Sequence, residues 1–258
     1  MTQQFYVSPE QLMKDRADFA RKGIARGRSV VVLTCRDGIA FVAENPSPSL
    51  HKLGEIYDRI GFAAVGKYNE FESLRQAGVR YADVRGYSYA REDVSARGLA
   101  SVYAQSLGSV FTAEGKPFEV ELAVAEVGAE PYSDHLYRLT YDGSIADESN
   151  YVVMGGQAEI VNDSLARTWS PDTTFSEAIK VAVRALAATR RPAEAAGTQG
   201  SQAAQDPEPV QGTELLGAGL LEVAVLDRDP LSTRGTVRAF RRIGTVELDR
   251  LLSSAEGD

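Results

Sequence analysis

The sequence predicts an α+β fold in which two sheets pack face to face between helical layers. Strand-like segments arrive in consecutive runs instead of alternating singly with helices, which argues against a doubly wound α/β sheet. Between those runs the helical segments come in pairs, giving the order helix, strands, two helices, strands, two helices, strands, helix. No self-similarity of the solenoid kind interrupts that order.

The first element is a helix predicted over 9–26. Ser8 is a good N-cap, Pro9 suits the first helical position, and Gln11 completes a capping-box pattern. Met13, Ala17, Ala20 and Ile24 form one apolar stripe with Leu12 and Phe19 beside it, and Glu10/Lys14 and Asp18/Lys22 are supporting pairs four apart. The β-branched run Val30-Val31-Val32 marks a strand over 29–35. Asp37-Gly38 ahead of a second apolar run, 39–44, is a hairpin signal. Prolines at 46 and 48 make 45–49 a loop, and strands over 53–58 and 62–66 follow.

Helices come next over 69–89 and 93–114. In the second, Leu99, Val102, Tyr103, Ser106, Val110 and Phe111 trace one face, and Gly115 with Pro117 ends it. Strands are predicted over 119–127, 136–141 and 151–154, the second closed by Asp142-Gly143. Gly155-Gly156 opens another helical pair. Val161, Leu165 and Trp169 share a face of its first helix, while a Thr174-to-Glu177 capping box heads the stripe Phe175, Ile179, Val183, Leu186 of the second. Residues 192–219 are rich in Pro, Gly, Ala, Gln, Glu and Ser without apolar periodicity and read as a flexible insertion. A last strand pair, 220–226 and 237–243, precedes a short helix over 246–252 and a polar tail.

With 43% hydrophobic and 25% charged residues, the 258-residue chain has an ordinary globular balance and can bury a sizeable core without staples. Its net charge of −8 disfavours binding to a phosphate backbone, so no nucleic-acid partner is expected. Cys35 is the sole cysteine, which excludes an internal disulfide and a cysteine-built zinc site and fits a reducing compartment. The opening residues, 1–7, lack the basic and apolar regions of a signal peptide, and no apolar run is long enough for a membrane span. A cytoplasmic protein with no membrane partner is therefore expected.

A search for catalytic chemistry finds little. His51 and His135 lie in separate segments, and no G-x-S-x-G, Walker loop or G-x-G-x-x-G accompanies them. Gly155-Gly156 could offer backbone N–H groups to an anion, or could simply be a tight strand-to-helix turn. Cys35 ends an apolar strand and reads as a small buried hydrophobe. The carboxylates are scattered, and no acid/base pair stands out.

Several long segments in fixed order carry a resemblance. They are Ser8-Pro9-Glu10-Gln11, Ala20-Arg21-Lys22-Gly23-Ile24-Ala25-Arg26 and Ser29-Val30-Val31-Val32, then Phe41-Val42-Ala43-Glu44-Asn45-Pro46 and Ile56-Tyr57-Asp58-Arg59-Ile60-Gly61-Phe62-Ala63-Ala64. Gly66-Lys67-Tyr68-Asn69-Glu70-Phe71, Arg85-Gly86-Tyr87, Tyr103-Ala104-Gln105 and Tyr141-Asp142-Gly143 continue it. Together they make the chain resemble proteasome core-particle α-subunits of the actinobacterial type, over nearly all its length except 192–219 and the tail.

The resemblance implies a four-layer α-β-β-α sandwich of the N-terminal-nucleophile hydrolase type, with a gate segment over 1–8 and a single α-type domain over 9–258. It further implies a seven-membered ring of identical or paralogous α-subunits stacked on rings of β-subunits. It implies no catalytic residue, cofactor or metal in this chain. Catalytic relatives use a processed N-terminal threonine whose amine is the general base; here the first strand opens Gly27-Arg28-Ser29-Val30 with a helix attached upstream.

By the same resemblance, Thr2, Gln3, Gln4, Phe5, Tyr6 and Val7 form the gate over the axial pore. Lys52 binds the C-terminal tail carboxylate of a ring ATPase activator, a role that suits a lysine ammonium, with Arg26 and Gly66 as further pocket residues. Substrates are then unfolded proteins or proteins tagged with the ubiquitin-like modifier Pup. Two other readings stay open on the sequence. One is a self-processing hydrolase, in which cleavage exposes Ser29 with Lys52 as its partner cation. The other is a free-standing adaptor of the same fold.

Overall fold

The computed structural model describes residues 8–190, 216–230 and 238–254. Its first element is α1 (Pro9–Ala25), where Ser8 Oγ accepts the Gln11 N–H at 3.2 Å. The capping box is not closed, because the Gln11 side chain donates instead to Asp15 at 2.7 Å. Ala20 and Ile24 are buried, while Leu12 and Phe19 stay about half exposed, so the apolar stripe meets the core only along its inner edge.

Strands β1 (Val30–Cys35) and β2 (Gly38–Glu44) form the predicted hairpin, with Cys35 opposite Gly38. Strands β3 (Leu53–Tyr57) and β4 (Ile60–Gly66) follow, then helices α2 (Tyr68–Ser88) and α3 (Ala96–Ala113). Next come β5 (Val120–Glu126), β6 (His135–Leu139), β7 (Ile145–Glu148) and β8 (Tyr151–Met154). Helices α4 (Ala158–Thr168) and α5 (Phe175–Ala187), strands β9 (Leu221–Asp227) and β10 (Phe240–Ile243) and helix α6 (Thr245–Ser253) complete the described chain. The strands make two five-stranded antiparallel sheets, ordered β10-β9-β2-β1-β8 and β3-β4-β5-β6-β7.

Three apolar layers hold these sheets. Val30, Val32, Ile39 and Phe41 of the first sheet pack between the sheets with Ala63, Val65, Ala123 and Ala125 of the second. The alternate residues Val31 and Leu33 face away, against Ile179, Val183 and Leu186 of α5. Phe62, Leu122 and Val124 likewise pack outward with Leu99 and Tyr103 of α3. The result is the four-layer α-β-β-α sandwich. Antiparallel sheets often leave one face to water, and their strands then alternate. Here both faces are covered, and β1 and β2 are buried at every position.

The structure corrects the reading at several points. The inward face of α3 is Ala96, Leu99, Ala100, Tyr103 and Leu107, and Ser106 is exposed. Selecting the large residues missed the alanines, which seat the helix against the sheet. The edge strand β7 was not predicted: Ile145-Ala146-Asp147-Glu148 is mostly exposed and carries two acids, so it has no apolar alternation to read. Of the stretch read as an insertion, 192–215 lies outside the described residues. Its last residues belong to the core, with Leu216 and Ala218 buried among the helix-side apolar layer. The Thr174–Glu177 capping box forms as predicted, with both hydrogen bonds present. Among the described residues, no helix is long and apolar enough to cross a membrane.

Candidate functional site

Four chain segments meet Lys52, which leads into β3: the α1–β1 connection at Arg28, the end of β2 at Glu44, β4 at Ala64 and β9 at Glu222. The Lys52 carbonyl accepts the Ala64 N–H at 3.0 Å, tying it to β4 two residues before Gly66. Its ammonium donates to two backbone carbonyls, Arg28 at 2.7 Å and Glu44 at 3.1 Å. The residue is half-buried, and burial depresses its pKa to about 8; the nearby Arg28 charge acts in the same direction, against Glu44 and Glu222. Arg28 also lies 3.7 Å from the Glu44 carboxylate.

Beneath this corner sits Glu222 of β9, which organises the loop that presents Lys52. Its carboxylate accepts the Lys52 N–H at 2.8 Å, the Leu53 N–H at 3.3 Å and the Asn45 side-chain amide at 2.8 Å. His51 lies 3.1 Å from it, and Arg242 donates to it at 2.5 Å and to the Leu53 carbonyl at 2.6 Å. Asn45 also donates to the Leu50 carbonyl at 2.7 Å, closing the loop 45–50 on itself. Glu222 was missed on the sequence, although a lone carboxylate inside the apolar run Leu220–Leu226 is the kind of signal that marks a buried polar partner.

The other two predicted pocket residues line one cleft together, away from Lys52. Arg26, the exposed C-cap of α1, and Gly66 line a cleft of about 600 Å³ together with Phe19, Lys22, Lys67 and Lys116. Lys52 is not among the residues lining that cleft. Part of its positive charge is answered locally: Glu70 lies 3.7 Å from Lys67 and 2.7 Å from Lys116, and Glu119 lies 2.9 Å from Lys116. Gly66 has φ +109°, and an added Cβ would fall 1.9 Å from the Glu119 carbonyl oxygen. Gly66→Ala is therefore expected to cost roughly 1–3 kcal/mol from the backbone alone, with the clash in addition. A thermal melt checks this, and a variant within about 0.5 kcal/mol of the parent would show that the β4 end relaxes freely.

At the head of β1, Ser29 is buried and sits inside a continuous chain that runs back through Gly27 into α1. Its carbonyl accepts the Glu44 N–H at 3.2 Å, and the Gly156 N–H reaches the Gly27 carbonyl at 3.5 Å. A Cβ on Gly155, which has φ +113°, would come within 2.9 Å of Ser29 Cα. The glycine pair is thus a close-packed strand-to-helix turn against the α1–β1 junction. Cys35 is buried; burial pushes its thiol up to about 12, and its Sγ lies 3.3 Å from the Gly38 carbonyl. His135 opens β6 and stacks on Tyr137 at a centroid distance of 6.2 Å, in a different sheet from Glu222. The proposed gate residues Thr2, Gln3, Gln4, Phe5, Tyr6 and Val7 lie outside the described residues.

Comparison with known proteins extends this picture. A family model described as "Proteasome subunit" matches residues 24–201. The chain is 66% identical over 253 residues to a proteasome subunit alpha of Arthrobacter sp. (strain FB24), covering 98% of this chain and 99% of that one. It is 65% identical to the same subunit of Paenarthrobacter aurescens (strain TC1), again over 98% and 99%. It is 59% identical to that of Kineococcus radiotolerans, over 98% and 99%. These matches and the four-layer sandwich assign this chain to the proteasome subunit family, as a core-particle α-subunit of the actinobacterial type.

Proposed function

We propose that this chain is a non-catalytic, gating subunit of the particle. The observation that carries the reading is the head of β1, which opens Gly27-Arg28-Ser29-Val30 without a threonine, behind a capped α1 that packs Ala20 and Ile24 into the core. A catalytic relative would need a free amine and hydroxyl at the head of the first strand. Here the residue at that position is Ser29, buried and packed closely beneath Gly155. Seven copies would form an outer ring, stack on rings of threonine-protease β-subunits, and set the entrance through which unfolded or Pup-tagged substrates pass. Residues 1–8 would supply the gate. The single domain over 9–258 would supply the ring wall, with the cytoplasm as its compartment.

Lys52 would receive the C-terminal carboxylate of a ring ATPase tail. Its charged head is held at a strand edge by two carbonyls, and a separate basic cleft surrounds Arg26 and Gly66, a combination suited to an acidic chain end. Native mass spectrometry of the chain, alone and co-expressed with a candidate β-subunit, tests the assignment. The expected result is a large stoichiometric complex, active only with the partner and carrying this chain with α1 intact. A small species, active alone and beginning near Ser29, would make the chain the hydrolase. A species that stays monomeric with every partner offered would make it an adaptor.

The gate has its own test. Deleting residues 2–7 is expected to raise turnover of short peptides by the assembled particle several-fold, read as initial rates. Unchanged turnover would remove the gate assignment.

A further inference from the structure

We propose that Glu222 and Arg242, from the last two strands of the first sheet, are positioning residues for partner docking. Together they fix the 51–53 segment, and through it they hold the Lys52 ammonium where a carboxylate-ended tail can reach it. The inference rests on the docking role given to Lys52 above.

Strand register brings the pair together. Glu222 lies opposite Ala43 of β2, and Arg242 of β10 lies opposite Ala224 of β9. With a period of two, Glu222, Ala224 and Leu226 share one face of β9, and Ala43, Ala224 and Leu226 belong to the layer between the sheets. Glu222 and Arg242 are thus diagonal neighbours at the rim of that inner face, with side chains 9% and 39% exposed. A carboxylate there is costly unless its oxygens are filled, and an apolar side chain of similar size is often no less stable. Here the oxygens are filled largely by one segment. The Asn45 amide closes the loop before Lys52, the Lys52 and Leu53 N–H groups belong to the segment itself, and His51 lies beside them.

The contacts bridge the two sheets. Among the described strands, β3 pairs with β4 alone. On its open side, Leu53 donates its N–H to Glu222, and its carbonyl accepts from Arg242 at 2.6 Å. The two side chains stand in for a neighbouring strand and peg the start of β3 to the first sheet. One residue earlier, the Lys52 N–H also goes to Glu222, while the ammonium is held separately by the Arg28 and Glu44 carbonyls. Backbone and head of one lysine are therefore fixed independently, and a shift of the backbone tie pulls the head off its carbonyls. Recognition geometry tolerates only about 0.5 Å of such movement.

The charged groups around the ammonium are Arg28, Glu44 and Glu222, with His51, Arg242 and the Glu72–Arg75 pair of α2 further out. Glu44 and Glu222 favour its charged form against burial and Arg28. Glu222 thus serves the site twice, by placing the lysine and by helping to keep it charged.

The test measures the Kd of a ring ATPase activator for the assembled particle, at pH values on both sides of about 8, the pKa of Lys52. The variants are Glu222→Gln, Arg242→Met and Lys52→Ala, with each of the first two also combined with Lys52→Ala. Glu222→Gln keeps an acceptor oxygen for the N–H groups and removes the charge. Binding is expected to weaken about tenfold, and the pH at which it falls should move down, because one group that favours the ammonium is gone. Arg242→Met changes a partly exposed side chain, so it carries the test if the Gln variant does not assemble; about fivefold weaker binding is expected. On the Lys52→Ala background each should add less than about twofold, since a positioning residue acts only through the group it positions. General loosening of the sandwich would instead weaken binding by the same factor on both backgrounds and leave the pH of the fall unmoved. That outcome, or parental binding in both single variants, overturns the positioning role and leaves Lys52 its docking role. Parental binding by Lys52→Ala overturns the docking role and the inference with it, so the two failures are distinguishable.

Discussion

Arg228→Ala is expected to lower the stability of the chain by about 3–5 kcal/mol, the usual cost of stripping one partner from a buried ion pair. Arg228 follows β9 and reaches across the end of the sandwich opposite Lys52. Its two terminal nitrogens grip the Asp134 carboxylate at 2.7 and 2.8 Å. The same guanidinium donates to the carbonyls of Cys35 at 3.1 Å, Arg36 at 3.1 Å and Gly128 at 3.1 Å. The Asp134 side chain is 1% exposed and that of Arg228 is 11%, so water replaces neither easily. Asp134 keeps the Gly128 N–H at 2.9 Å in the variant, which leaves its charge without a cation. A domain of this size shifts by about 2–4 °C per kcal/mol, so the melting temperature should fall by about 10 °C. Adding Asp134→Asn should recover part of that loss by removing the stranded charge. A fall under about 1 kcal/mol would mean that the two sheets close over the gap without the clamp.

Lys52→Ala is expected to drive the ratio of activator-stimulated to unstimulated peptide turnover toward one. If the ammonium is the recipient of a tail carboxylate, truncation removes the charge and the donor together, a loss of about 2–5 kcal/mol in binding and at least tenfold in apparent affinity. The pH dependence follows from the same atom. The folded pKa is depressed, from 10.5 to about 8, so the charged form is lost as pH rises through about 8. Stimulation at subsaturating activator should therefore fall across that pH, and saturating activator should push the fall upward, since the partner's carboxylate favours the charge. The sign for stability is opposite to that of an ion-paired lysine. Between about 8 and 10.5 the unfolded chain binds more protons than the folded one, so the cost of burying this charge is relieved as pH rises through that window. Equal loss of stimulated and unstimulated turnover in the variant would indicate defective assembly.

The architecture was legible because most elements announce themselves locally. The Ser8 cap, the Asp37-Gly38 hairpin and the Thr174–Glu177 box each act within a few residues, and each forms. Element order then sufficed for two sheets between helical layers. The candidate site was legible only in part. Lys52, Arg26 and Gly66 came from resemblance, and nothing local to Lys52 tells that its ammonium meets two carbonyls. Glu222 stands 170 residues from Lys52, and Arg242 reaches Leu53 across 189. Such partners are set by strand order, which periodicity does not encode. The acidic edge strand β7 and the alanine face of α3 were missed because both lack the large apolar residues on which periodicity is read.

The place of β9 in the first sheet has a consequence for the order of events during synthesis. It lies beside β2, matched residue for residue from Gly38–Asp227 to Glu44–Leu221. When the ribosome has made β1 and β2, the outer edge of that hairpin has no partner, and about 180 further residues must emerge before β9 arrives. Parallel synthesis of several chains on one message would bring such open edges together, and unpaired edges template wrong pairings. The Lys52 corner is also unfinished until then, because Glu222 is carried on the same late strand. A nascent chain cut short before β9 therefore lacks the carboxylate that accepts the Lys52 and Leu53 N–H groups and holds this loop in place.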